Sequence, residues 1–103
     1  MADANGPSHA VDLTGLAREQ FLALVRSARH TGREDEFADA LETVLARLAR
    51  EPFRAGEPLY ELKKMRMQVR QMVAPPLYIE YGVHHHAAIV LIRHIGGLSP
   101  DDD

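Results

Sequence analysis

The sequence predicts an α+β fold: a short N-terminal strand, an antiparallel helical hairpin, and a small antiparallel sheet packed against it, in the order β-α-α-β-β-β. Three observations predict it. Two segments between residues 16 and 50 repeat apolar residues near the 3.6-residue helical period. After Pro52 that period gives way to the two-residue period of strands. Pro75-Pro76, His84 to His86 and Gly96-Gly97 then cut the second half into strand-length pieces.

Residues 1 to 8 are small, polar or Gly/Pro and read as a disordered segment. His9 to Leu13, HAVDL, read as a short strand with Val11 and Leu13 on one face. Thr14 is a suitable N-cap for the helix that follows. That helix runs over 16–30, with Leu16, Phe21, Leu24, Val25 and Ala28 as its apolar stripe and Gly32 as its C-terminal stop. The second helix, 34–50, has Phe37, Leu41, Val44, Leu45 and Leu48 at helical spacing. Its first turn carries Glu34, Asp35 and Glu36 and its last Arg47 and Arg50, the charge order that complements the helix dipole. The short connection makes the pair an antiparallel hairpin.

Residues 53–58, FRAGEP, read as a loop, and Leu59 to Leu62 as a short extended or turn segment. Met65 to Val73 alternates, with Met65, Met67, Val69, Gln71 and Val73 on one face and Arg66, Gln68 and Arg70 on the other. After the Pro75-Pro76 turn, Leu77, Ile79, Tyr81 and Val83 share a core face, opposite Tyr78 and Glu80. Ala87 to Ile95 is apolar on both faces, as a central strand should be. Residues 9–98 make one expected domain, followed by an acidic tail over 99–103.

A chain of 103 residues is long enough to bury its own core, so disulfides and structural metals are not needed. It has no cysteine, which excludes disulfide frameworks, thiol nucleophiles and thiolate metal sites. MADANGPSHA has no basic region followed by an apolar run, so no secretory signal is expected, and the longest apolar run, Ala87 to Ile92, is far too short to span a bilayer. A cytoplasmic protein is the expectation. Residues 1–51 carry nine acids and six Arg, whereas residues 52–98 carry six Lys or Arg and three Glu. The mildly basic second half is a weak sign of an anionic partner. Phosphate-binding Gly loops and the common hydrolase motifs are absent, and no cofactor is expected.

Three sets of residues are candidates for chemistry. His84 to His86 sit where a hairpin needs a turn, and the plain reading is an exposed turn that holds metal only adventitiously, through His84 and His86. Arg66, Arg70 and Arg93 are expected to gather on the sheet face away from the helices, with Lys63 and Lys64 at its edge and Tyr78 and His94 near it. That set would suit a phosphate backbone with Tyr stacking on a base, an acidic protein partner, or plain solvent. His94, inside an apolar strand, reads as a partly buried, hydrogen-bonded histidine and is also the best acid–base group. Tyr81 belongs to the core, and Met65, Met67 and Met72 are core fillers.

The chain also resembles the RelE/ParE-type toxin superfamily of bacterial toxin–antitoxin systems. HAVDLTGLAREQ resembles that family's first strand running into its first helix. LARLAREPFRAGEPLYEL resembles its helix end, Pro, Gly-containing loop and following Leu, and MRMQVR, LYIEYGV and AAIVLIRHI resemble its last three strands. The resemblance covers roughly residues 9–95. It implies a toxin–antitoxin component, neutralised by an antitoxin partner and associated with plasmid stabilisation. RelE-type members bind the ribosome and cleave messenger RNA, and ParE-type members poison gyrase. For an RNA-cleaving member it implies Arg66 and Arg70 on phosphate and Tyr78 or His94 moving the proton, with Lys63, Lys64 and Arg93 binding RNA or a partner. The family's third strand usually reads Tyr-Arg-x-x-Tyr; here the segment is Leu77-Tyr78-Ile79-Glu80-Tyr81, with Tyr78 at the Arg position. The last strand ends in Gly96, Gly97 and Leu98 where the family often has Arg or Lys, and the tail is acidic. These departures favour the second reading, a non-catalytic interaction module of the same fold.

Overall fold

The structure is a computed structural model that describes residues 8–98. The expected N-terminal segment, residue 8 apart, and the acidic tail lie outside the described residues. The elements are β1 (Ala10–Leu13), α1 (Gly15–Arg29), α2 (Glu34–Arg50), β2 (Glu57–Leu62), a 3-10 turn (Lys63–Met65), β3 (Met67–Ala74), β4 (Leu77–His84) and β5 (Ile89–Gly97). This is the expected order with one addition. The segment after Pro52 supplies an edge strand, β2, which takes up the end of the expected loop.

The sheet order is β1-β5-β4-β3-β2. From β2 to β5 it is an antiparallel meander. β1 joins β5 in parallel, Val11 beside Val90 and Leu13 beside Ile92, so the sheet is mixed and not purely antiparallel as expected. Gly96 and Gly97 do not end the last strand either. They pair with Tyr78 and Leu77 and complete it.

Thr14 caps α1 as expected, its hydroxyl accepting from the Ala17 N–H at 3.0 Å. The buried line of α1 is Ala17 and Ala28, with Phe21, Leu24 and Val25 packed against the core. Leu16 is a correction to the expected stripe, because it points outward and is exposed. On α2 the stripe is as expected, with Phe37, Val44 and Leu48 buried and Leu41 and Leu45 at the margin. The helices cover one sheet face, meeting Leu77, Ile79, Tyr81, Val83, Val90, Ile92 and Ile95. Each fully buried aliphatic side chain there contributes roughly 1.5–3 kcal/mol over an exposed one.

The chain then crosses under α2. The Tyr81 hydroxyl donates to the Pro52 carbonyl at 3.0 Å and ties the loop down. Gly56 passes so close to β3 that an added Cβ would lie 2.1 Å from the Gln71 carbonyl oxygen, so only glycine fits.

The pairing of β3 with β4 fixes which side chains share a face, because directly opposed residues point the same way. Arg70 opposes Tyr81 and Met72 opposes Ile79, so Gln68, Arg70 and Met72 face the helices. Met67, Val69, Gln71 and Val73 face away, opposite His84, Gly82, Glu80 and Tyr78. The expected alternation is therefore right, but its faces are exchanged. Met67 and Val69 are buried on the open face and lie outside the main core cluster. Met65, expected as a core filler, is exposed.

Candidate functional site

Among the described residues no helix lies over the open face of the sheet, yet Val69 is fully buried there. Two long side chains close that gap. Tyr60 on β2 opposes Val69 on β3. On β5, a bulge breaks the pairing with β4 between Glu80 and Tyr81, so that Glu80 opposes His94 and Tyr81 opposes Ile92. Arg93 is the extra residue, and the bulge turns it onto the same face as His94. Its stem crosses Gly82, where an added Cβ would sit 3.9 Å from the Arg93 Cδ and 3.0 Å from the Met67 sulfur. The Arg93 Nη1 then donates to the Tyr60 hydroxyl at 3.3 Å. Tyr60 and Arg93 thus form a bridge over the middle of the sheet.

Glu80 lies beside this bridge. One of its carboxylate oxygens is 3.5 Å from Arg93 and 3.9 Å from the His94 ring, with side-chain exposures of 17% for Glu80, 27% for Arg93 and 44% for His94. His94 is thus partly buried, as the sequence suggests, but its ring makes no hydrogen bond among the described residues. Tyr78 is on the same face but further along, its hydroxyl donating to the Gln71 side chain at 2.8 Å. A shallow cleft of about 450 Å³ beside it is lined by Gly56, Glu57, Gln71, Val73 and Tyr78, with no Lys or Arg side chain in its lining.

Arg70 is elsewhere. It is on the helix-facing side, only 6% exposed, and donates to the Gln68 side chain and to the Gly56 carbonyl at 2.7 Å. No carboxylate pairs with it among the described residues, and its Nε–H has no partner there. Burial pushes the neighbouring Tyr81 phenol up, against the opposing pull of the Arg70 guanidinium. Arg70 therefore holds the loop 52–56 to β3 and is not available on the open face.

The other cations collect at one end of the sheet. Lys63 and Lys64 form the 3-10 turn, and Arg66, in left-handed geometry, leads into β3. The Arg66 carbonyl accepts from the His85 N–H at 2.9 Å, which brings the histidine connection to this corner. The expected connection runs over residues 85–88, with His85 and His86 in it, whereas His84 is the last residue of β4. The His84 Nδ1 accepts from the backbone N–H of His86 at 3.0 Å and of Ala87 at 2.9 Å. His85 pairs with Glu61 at 2.7 Å and stacks on Phe53. Glu61 is held below the usual carboxylate range, first by that hydrogen bond and then by a second one from Gln68. Among the described residues no group of three or more His, Cys, Asp or Glu is arranged to hold a metal ion.

No family model matches the sequence, and no curated protein matches it. Solved structures of similar fold include two from toxin–antitoxin systems. One is a chain of the toxin–antitoxin complex RelBE2 from Mycobacterium tuberculosis, with TM-score 0.62 and 20% identity, covering 89% of this chain and 93% of that one. This chain shares its fold. The other is a chain of the chromosomal ParDE system from P. aeruginosa, with TM-score 0.58 and 12% identity, covering 88% of this chain and 97% of that one.

Within this fold the candidate residues fall into three places. Arg93, His94 and Tyr78 share the open face. Lys63, Lys64 and Arg66 form the basic corner. Arg70 is interior. The expected gathering of Arg66, Arg70 and Arg93 on one face does not occur. The exchanged phase of β3 turns Arg70 to the helix side, and Arg66 lies in the turn before β3. Sequence reasoning missed Tyr60 and Glu80 as parts of the site. Glu80 had a signal, since it lies opposite the core residues of its own strand. Tyr60 had none, because its segment shows no alternation. No helix among the described residues is long and apolar enough to cross a membrane.

Proposed function

We propose that the chain is the toxin-fold member of a toxin–antitoxin pair, acting in the cytoplasm, and that its open sheet face binds protein. The observation that carries this reading is the charge of that face. Asp12, Glu57 and Glu80 lie on it, against one arginine, Arg93, with Glu80 3.5 Å away. A face with more acid than base repels the repeating charge of a nucleic-acid backbone. Its exposed apolar residues, Tyr60, Val73 and Ile89, suit a protein surface. The similarity to chains from two toxin–antitoxin complexes supports an antitoxin as one such protein.

The test is expression from a tightly controlled promoter in a bacterium, with growth followed and soluble protein confirmed. Growth arrest without messenger-RNA cleavage is the expected result, and a DNA-damage response would specify a gyrase-poison type of action. Undisturbed growth would remove the toxin reading and leave an interaction module of the same fold.

A second reading is ribosome-dependent cleavage of messenger RNA. The basic corner favours it, since Lys63, Lys64 and Arg66 are all exposed and three histidines adjoin them. Cleavage that persists in a K63A/K64A/R66A variant would remove the corner from that reading.

A further inference from the structure

We infer that Arg93 is the point where the open face recognises a single carboxylate on an amphipathic segment of a protein partner, and that Glu80 holds that place in the free chain. The inference rests on the protein-binding reading of the open face. An arginine carries five N–H donors in a rigid fork that matches a carboxylate in two parallel bonds. Among the described residues Arg93 makes one side-chain hydrogen bond, to the Tyr60 hydroxyl. Its contact with Glu80, at 3.5 Å, is an ion pair without a hydrogen bond. Most of the fork is therefore unfilled, although the group is only a quarter exposed.

The position of the fork is nevertheless fixed. Its stem lies on Gly82 beside Met67, and Tyr60 holds its tip. A cation fixed before binding loses little side-chain freedom when its partner arrives. The surroundings choose the ligand class. Leu91 and the exposed Tyr60 make an apolar frame around one cation, so the complementary segment carries one acid among apolar residues. Asp12, Glu57 and Glu80 oppose a ligand with repeated charge. His94 shares the same Glu80 oxygen at 3.9 Å, so Glu80 keeps a neighbour when an incoming carboxylate displaces it from Arg93.

The test is selection of short random peptides displayed on phage against the full chain, followed by dissociation constants for the selected peptides with wild type, R93Q, R93K and E80Q. Circular dichroism and thermal melting check that each variant is folded. The expected peptides carry an Asp or Glu flanked by apolar residues. R93Q weakens them by about tenfold or more, as loss of a hydrogen-bonded charge partner does. R93K restores only part of this loss, because an ammonium cannot bind in the two-pronged way. E80Q tightens them by removing the internal competitor. Peptides without an acid, peptides indifferent to R93Q, or no peptides at all would overturn the inference. So would single-stranded RNA that binds more tightly than any peptide and is lost in R93Q, which would make this a nucleic-acid site. The toxin reading fails separately, by undisturbed growth, and that result leaves the peptide measurements as they stand.

Discussion

The two faces of the sheet are closed by different means. On the helix side, burial is apolar and dense, and the polar groups that enter it are tied to the backbone: Tyr81 to Pro52 and Arg70 to Gly56. On the open side, the centre is closed by two long polar-tipped side chains, Tyr60 and Arg93, which cover Val69 and leave their tips in reach of solvent. The comparison teaches that an arginine's role follows from what surrounds its tip. Arg70 has its fork used by the fold. Arg93 has its fork largely free, with Glu80 as a loose neighbour. The two residues look alike in sequence, and only the register separates them.

The largest effect that tests this contrast comes from the helix side. Leu48→Ala empties a fully buried site on α2 and should cost about 2–5 kcal/mol, read from urea unfolding. Ile89→Ala, on the exposed open face, should stay within about 0.5 kcal/mol. Equal losses at the two sites would show that the open face is closed as tightly as the core.

The two arginines give the next test. Arg70→Ala removes a buried stem and leaves the Gly56 carbonyl unpaired, a cost of about 1–3 kcal/mol. Arg70→Met keeps the stem and removes a buried charge with no carboxylate partner, so its cost should be clearly smaller. Arg93→Gln should leave the unfolding midpoint nearly unchanged while it weakens binding at the open face by about tenfold or more. A large stability loss in Arg93→Gln, with binding intact, would reverse the assignment of the two residues.

This pair also marks the limit of what was legible in the sequence. The helices, the Thr14 cap, the Pro75-Pro76 turn and the core face of β4 could all be read, because each depends on local spacing or on a local backbone preference. The face of β3 could not. Apolar residues occur on both of its sides, Met67 and Val69 on one and Met72 on the other, and the charged Arg70 lies on the buried one. The rule that charge faces water then selects the wrong phase. β2 was blurred by Pro58 and by its exposure as an edge strand, which removes the alternation that burial imposes. The site was least legible of all, since the bulge that turns Arg93 onto the open face depends on pairing with β4.

A smaller effect is expected at Tyr81. Tyr81→Phe loses one buried hydrogen bond to Pro52 and should cost about 1 kcal/mol at neutral pH. Burial raises the phenol above its ordinary value of 10.0, so the folded chain favours the neutral form. That contribution is complete below 10.0 and is lost as the pH rises through the raised value. The wild type should therefore lose stability on the alkaline side, and Tyr81→Phe should lose less. Parallel alkaline limbs for the two proteins would mean that the phenol is as free in the folded chain as in the unfolded one.

The smallest effect belongs to the exposed Glu61–His85 contact, which ties the histidine turn to the edge strand outside either closed face. Glu61 is held below its ordinary value of 4.5, first by the hydrogen bond with His85, so its stabilising contribution is present above that value and is lost as the pH falls through the lowered one. Glu61→Gln should flatten the acid limb of a stability–pH curve and leave the neutral plateau almost where it was, because exposed pairs contribute little once solvent screens them. A clear drop in the plateau would instead mean that the basic corner is clamped as firmly as the loop beneath Tyr81, and that the histidine turn belongs to the scaffold of the fold.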